Sequence, residues 1–302
     1  MKNILVVGSI NVDMVIYAER MPKLGETMTG RDFSINEGGK GANQAVAAAK
    51  LGGSVQMLGC VGTDVYGNMM AEQFRRSGVG TDGLTVCEGS TGVASITVCG
   101  GDNFIILDEG ANAKLGCGVI DAHLELLQWA DIVILQFEIP METVLHTAKR
   151  AKGFGKMTIV NPAPMKAFPK ELLEYTDLFV PNETEAQLLL NRDVRDGGWE
   201  DAIRAVQAMG CREVLITLGS KGCIYSAGGE IHTHGIVESS VVDTTAAGDS
   251  FIGGIVAALA EGKPMREAVR FATYASSITV SRPGAGKSIP SRQEVLEFMR
   301  ND

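Results

Sequence analysis

Short runs of apolar residues alternate along the chain with amphipathic stretches, and the period of each run predicts an element. Ile4-Leu-Val-Val, within Asn3 to Ser9, predicts a first buried strand. Gln44-Ala-Val-Ala-Ala-Ala-Lys-Leu-Gly52 reads as an Ala-rich helix closed by glycine. A strand over Val55 to Cys60 and a helix over Tyr66 to Ser77 complete a βαβα opening. From about Val119 the alternation is regular: strands at Asp131 to Gln136, Met157 to Val160, Leu178 to Val180 and Glu213 to Leu218, with a helix at Met141 to Lys152. Near the end, Phe251-Ile-Gly-Gly-Ile-Val-Ala-Ala-Leu predicts a helix apolar all round, hence buried. Short apolar strands separated by amphipathic helices predict an α/β fold with a mostly parallel central sheet flanked by helices.

Two stretches break this rhythm. Residues 14 to 37 show no helical period and are punctuated by Pro22, Gly25 and Gly30, and residues 84 to 108 are β-branched and alternating with glycine turns. Together they predict a small β-sheet lid, from about 12–37 and 84–110, on a single domain spanning 1–302. Such a piece excludes water from a reactive site or serves as an oligomerisation surface.

Composition narrows the function classes. A 302-residue chain with 45% apolar residues buries a large core, which argues against disorder. The net charge of −9 includes no basic block of the kind that neutralises a phosphate backbone, so no nucleic-acid partner is expected. Six scattered cysteines form no C-x-x-C pair, against a zinc knuckle or disulfide framework and in keeping with reduced thiols in a cytoplasm. The opening apolar run is too short for a signal or a membrane span. His232-x-His234 puts two of the four histidines on one face of a strand, read as solvated rather than as metal ligands.

The chemistry-bearing residues cluster after predicted strands, on the sheet edge where open α/β proteins place ligands. Asn11 and Asp13 follow the first strand, in an Asx turn or a ligand site. Glu37-Gly-Gly-Lys-Gly-Ala-Asn43 runs into the first helix, and its glycines allow close backbone approach to a polar ligand. Glu138, Asn161, Asn182 to Glu185 and Thr217 to Gly222 follow later strands. Asn182-x-x-Glu185 also has the spacing of a capping box, which can coexist with a role near metal-bound phosphate. Gly284-Ala-Gly-Lys-Ser288 mimics the end of a P-loop, but its first glycine position is Ser281 and Ile289-Pro290 follows in place of a helix. As a Gly-rich loop offering carbonyl oxygens, it suits a cation that Asp243 also reaches.

Val242 to Phe251, Val-Asp-Thr-Thr-Ala-Ala-Gly-Asp-Ser-Phe, organises the rest. With Ala246 to Asp249 as the first turn of the buried helix, their N–H groups make an anion site, and Asp249 beside it is a base or merely a cap or dipole partner.

Gly-Ser-Ile-Asn-Val-Asp13, Gly-Gly-Lys-Gly-Ala-Asn43, Asn161-Pro-Ala-Pro, Pro-Asn-Glu-Thr-Glu185, Thr-Leu-Gly-Ser-Lys-Gly222 and Asp-Thr-Thr-Ala-Ala-Gly-Asp249 stand in the order of the ribokinase family of sugar kinases, and the resemblance covers nearly the whole chain. It implies ATP-dependent phosphorylation of a sugar, D-ribose at its 5-hydroxyl first, with deoxyribose, fructose or adenosine as alternative acceptors and a non-catalytic sugar-binding protein as the reading from another class. It implies Asp249 as base and an anion hole at Ala246, Ala247 and Gly248. Asn11, Asp13, Gly39, Lys40, Gly41, Asn43 and Glu138 would then bind the sugar. Asn182, Thr217, Leu218, Gly219, Ser220, Lys221, Gly222, Gly248 and Thr273 would bind ATP, with Glu185 on Mg2+ through water. Asp243, Thr245, Thr279, Arg282, Gly284 and Ser288 fall where the family binds a monovalent cation (K+), most through carbonyls, and the lid implies a homodimer. One departure is Ala247, where many relatives carry Gly in the G-A-G-D form; Ala fits a helical first turn without strain, so activity is expected to survive it.

Overall fold

The computed structural model describes residues 1–100, 102–194 and 198–301. The chain begins with strands β1 (Asn3–Val7), β2 (Asn11–Tyr17) and β3 (Arg31–Gly38), then helix α1 (Lys40–Lys50), β4 (Ser54–Gly62), α2 (Val65–Arg76) and β5 (Val79–Cys87). Strands β6 (Gly92–Cys99) and β7 (Asp102–Asp108), short helices α3 (Cys117–Ala122) and α4 (Leu124–Trp129), β8 (Ile132–Gln136), α5 (Met141–Gly153) and β9 (Met157–Asn161) follow. The last part holds β10 (Leu178–Phe179), α6 (Glu183–Leu190), α7 (Trp199–Gln207), β11 (Glu213–Thr217), β12 (Cys223–Ala227) and β13 (Glu230–His234). Helices α8 (Ala247–Ala260), α9 (Met265–Val280) and α10 (Arg292–Asn301) close the chain.

Nine strands form one sheet in the order β13-β12-β11-β10-β9-β8-β1-β4-β5. It is parallel from β11 to β5 and ends in an antiparallel hairpin, β12 and β13. The period-2 geometry of β1 divides its side chains between two cores. Ile4 and Val6 pack with residues of α1, α8 and α9, while Leu5 and Val7 pack with residues of α5 and α7. Coverage on both faces explains why the central strands are continuous apolar runs.

The second sheet has the order β3-β2-β6-β7 and leaves Phe33 (61% exposed) and Ile106 (75%) in solvent. Three details correct the sequence reading. Residues 84 to 87 belong to β5, an edge strand of the main sheet, because β5 keeps its parallel register with β4 as far as Gly62 opposite Cys87. The second lid segment therefore starts at Gly92, and its residue 101 lies outside the described residues. Asn11 and Asp13 lie within β2, paired to Gly38 and Asn36 of β3, and not in an Asx turn. Helix α1 begins at Lys40, four residues before the predicted start.

Among the described residues no helix is long and apolar enough to cross a membrane, and all six cysteines are unpaired. The packing of α1 against α8 positions the site. A Cβ at Gly253 would lie 2.4 Å from the Ala47 side chain, so glycine lets the two helices touch. Asn43 meets Asp249 one turn earlier on both helices, so the helices run in the same direction and bring their N-termini together.

Candidate active site

The two N-termini differ in how they are made. Gly39 caps α1 with φ of 89°, and a Cβ there would sit 2.7 Å from the Asn11 nitrogen, so conformation and close approach both demand glycine. At α8 the cap is Ala246, in the left-handed region at φ 59° with no side-chain cap. This corrects the expectation that Ala246 lies in the first helical turn. The Ala247 N–H bonds the Thr244 carbonyl at 3.2 Å, forcing a turn through residue 246 before Ser250 N–H closes the helix on the Ala246 carbonyl at 2.8 Å. Of the three anion-hole candidates, Ala247 thus already has an acceptor. Gly248 and Asp249 occupy the next two positions, whose N–H groups lack intrahelical partners. Gly248 is exposed, and a Cβ there would meet nothing within 4 Å, leaving an open face for a ligand. Counted back from Asp249, the first glycine of the G-A-G-D form falls on Ala246, not Ala247, so the departure coincides with the left-handed residue.

Asp249 is 8% exposed and does not cap its own helix. Its carboxylate accepts instead from α1: Asn43 Nδ2 to Oδ2 at 3.2 Å and Gln44 Nε2 to Oδ1 at 3.0 Å.

The expected sugar ligands gather on the lid side of this carboxylate. Burial, followed by the Glu138 and Asp249 carboxylates, pushes the Asp13 carboxyl up to about 6. Glu138 Oε2 accepts from Ser9 Oγ at 2.6 Å and from the Lys40 N–H at 3.1 Å. Burial lowers the affinity of the Lys40 ammonium for its proton, but Asp249, Glu138 and Glu185 outweigh it and hold the group above its ordinary value. Asn11 Oδ1 is held by Asn112 Nδ2 at 2.7 Å, and the Gly41 N–H goes to Ser9 Oγ at 3.2 Å rather than toward a ligand. Sequence reasoning missed Ser9, Asn112 and Gln44. Ser9 carried a signal, its place just after β1; Asn112 and Gln44 carried none.

On the other side of Gly248 lies a cavity of about 500 Å³. Thr217, Gly219, Ser220, Gly222, Gly248 and Thr273, all nucleotide-side candidates, line it, and Ile236, Val237, Val241 and Phe251 add an apolar wall that was not foreseen. Leu218 and Lys221 belong to the same turn but are not among its lining, and neither is Asn182, which bridges to Thr217. Asn182 and Glu185 form the capping box: Asn182 Oδ1 accepts the Glu185 N–H and Glu185 Oε2 accepts the Asn182 N–H, both at 2.8 Å. Burial pushes the Glu185 carboxyl up, against the pull of the Asn182 N–H and Lys40.

The loop expected to hold a cation is joined where Asp243 meets Gly284. Asp243 Oδ1 accepts the Thr245 N–H at 2.8 Å and Oδ2 the Gly284 N–H at 2.9 Å. Burial raises this carboxyl, and those bonds more than reverse the effect, holding it below its usual range. Gly284 therefore turns its N–H, not its carbonyl, to Asp243. Thr279 is buried with Oγ1 on Ser250 Oγ at 2.7 Å, Arg282 pairs with Glu294 at 2.7 Å, and Ser288 Oγ bonds the Ala285 carbonyl at 2.6 Å. No helix follows Ser288 directly, as expected; α10 starts at Arg292 behind a reciprocal Ser291–Glu294 pair. His232 packs on Tyr225 with ring centroids 5.4 Å apart, and both His232 and His234 are half-buried rather than fully solvated. Among the described residues no three His, Cys, Asp or Glu side chains are grouped to hold a metal.

A buried carboxylate at a helix N-terminus, polar residues on one side and a nucleotide-sized cavity on the other, define an ATP-dependent sugar phosphotransferase. The chain belongs to the family described as pfkB family carbohydrate kinase, whose model matches residues 1–292. It is 41% identical to a ribokinase of Haemophilus influenzae over 99% of both chains, and 38% identical to one of Bacillus subtilis over 99% of this chain and 100% of the other. Among solved structures, a ribokinase of Thermotoga maritima superposes with a TM-score of 0.92 at 38% identity over 100% of both chains. The Arabidopsis thaliana ribokinase complexed with ribose and ATP does so with 0.93 at 36% identity over 99% of both chains.

Proposed function

We propose that this enzyme transfers the γ-phosphoryl group of ATP to the 5-hydroxyl of D-ribose. The observation that carries the reading is the place of Asp249, buried between the polar lid-side cluster and the cavity that Gly248 lines. The ribokinase names of the relatives, and the ribose and ATP in the Arabidopsis structure, support ribose as the acceptor.

In this mechanism Asn11, Asp13, Gly39, Lys40, Asn43 and Glu138 bind the sugar hydroxyls and bring the 5-hydroxyl to Asp249. Asp249 takes its proton as the oxygen attacks the γ-phosphorus; the bond to the β-phosphate oxygen breaks and ADP leaves with that electron pair. The N–H groups of Gly248 and Asp249, at convergent helix N-termini, stabilise charge on the transferring oxygens. Lys40 adds a positive charge that desolvation strengthens.

Magnesium, required with ATP, would be held through water by Glu185, whose carboxylate feels Lys40 and Asp249, and would neutralise phosphate charge. Hard oxygen donors at Asp243, Thr245, Thr279, Arg282, Gly284 and Ser288 suit a monovalent cation such as K+, which would stiffen the turn leading into Ala246. The four-stranded sheet acts as a lid within one ribokinase-like domain, and its exposed Phe33 and Ile106 serve a homodimer contact in a cytoplasmic enzyme.

Phosphorus NMR of the product formed from ATP and ribose tests the reaction. A phosphate ester on C5 is expected; phosphorylation at C1, or no ester at all, contradicts it.

A further inference from the structure

Gln44 is completely buried on α1 and lies within reach of three other polar side chains. Its Nε2 donates to Asp249 Oδ1 at 3.0 Å and to Asn161 Oδ1 at 3.1 Å, and its Oε1 accepts from Gln136 Nε2 at 2.7 Å. The direction of this chain is set by the backbone. The Val180 carbonyl can only accept, so Asn161 must turn Nδ2 to it, at 2.9 Å, and Oδ1 to Gln44. Gln44 must then present its NH2 group, whose second hydrogen falls to Asp249, and Gln136 must present its own NH2 to the Gln44 oxygen. Gln136 ends β8, Asn161 ends β9 and Val180 follows β10, so three adjacent parallel strands hold this amide in one orientation.

A residue serving only to fill the core at this point would be apolar. Instead, among the described residues, the relay ends on Gln136 Oε1, a buried side-chain oxygen without a hydrogen-bond partner. We propose that Gln44 is the positioning residue for Asp249. It anchors Oδ1 to the central sheet, leaving Oδ2, whose bond from Asn43 is the longer at 3.2 Å, to receive the proton of the sugar hydroxyl. This deepens the reading of Asp249 as base and rests on it.

The test is a double-mutant cycle of Gln44→Met, which keeps side-chain length without donors, and Asp249→Asn, with steady-state kinetics for sugar and ATP. In the otherwise unaltered enzyme Gln44→Met is expected to lower kcat by ~10- to 100-fold with both KM values within about 3-fold, and to change the residual kcat of Asp249→Asn by less than about 3-fold. An unchanged kcat in Gln44→Met, or an equal fall in both backgrounds, overturns the positioning role and leaves the base untouched. Near-normal turnover of Asp249→Asn alone overturns both. If Gln44→Met does not fold, Asn161→Ala, which removes the acceptor that orients the Gln44 amide, carries the same expectation and the same overturning results.

Discussion

Asn43 and Asp249, separated by 206 residues in sequence, meet in a 3.2 Å hydrogen bond at the start of two helices that run side by side in the same direction. This contact joins the Gly-rich entry of α1, on the proposed sugar side, to the first turn of α8, which lines the cavity. The electrostatics of the site follow, because two positive helix ends and Lys40 face the region where phosphate charge would develop.

Asp249→Asn keeps the shape of the side chain but removes the proton acceptor, and its one amide oxygen can accept from only one of Asn43 and Gln44. Turnover is expected to fall by about 100- to 10,000-fold, with ATP affinity by calorimetry altered only a few-fold. Near-normal rates would remove Asp249 as the base.

Asp13 is expected to set an acid limit on sugar binding. With its carboxyl raised to about 6 in the folded protein, it gains a proton as pH falls through 6 and loses an acceptor for a sugar hydroxyl. The sugar KM should rise between pH 7 and 5 while the ATP KM stays nearly flat, and Asp13→Asn should flatten that slope. The sign for folding is opposite: a carboxyl raised above its ordinary value of 3.8 favours folding fully below that value and loses the contribution as pH rises through about 6. Asp13→Asn should therefore raise Tm more at pH 7 than at pH 4, and a uniform shift contradicts the assignment.

Much of this arrangement was legible in residue patterns. Ile132 to Gln136 reads as a buried strand because both faces of a parallel sheet are covered, and the Asn182–Glu185 capping box follows from local spacing alone. What escaped depends on distant partners or on backbone geometry without a residue signature. Whether residues 84 to 87 join the lid or the main sheet is decided by register with β4. The left-handed turn falls on an alanine, where glycine would have announced it, and Gln44 hides in an Ala-rich run because its partners lie on β8, β9 and α8.

Ala246→Gly should relieve the left-handed strain. The steric relief of roughly 1–2 kcal/mol is partly offset by the greater freedom of glycine in the unfolded chain, giving a net gain of about 0.5–1 kcal/mol. Calorimetry should show Tm rising by ~1–3 °C with turnover retained; a lower Tm would mean that the turn is not strained.

Replacing sodium by potassium at constant ionic strength should raise turnover, and Asp243→Ala should abolish the difference, since it removes the group that holds the Thr245 and Gly284 N–H groups together. Equal rates in the two salts contradict a cation role for this loop.

The acceptor is expected to be ribose. A coupled ADP-release assay with ribose, deoxyribose, fructose and adenosine, run at saturating ATP and magnesium, measures it directly. The highest kcat/KM is expected with ribose; no turnover with ribose, alongside turnover of another acceptor, would contradict that assignment.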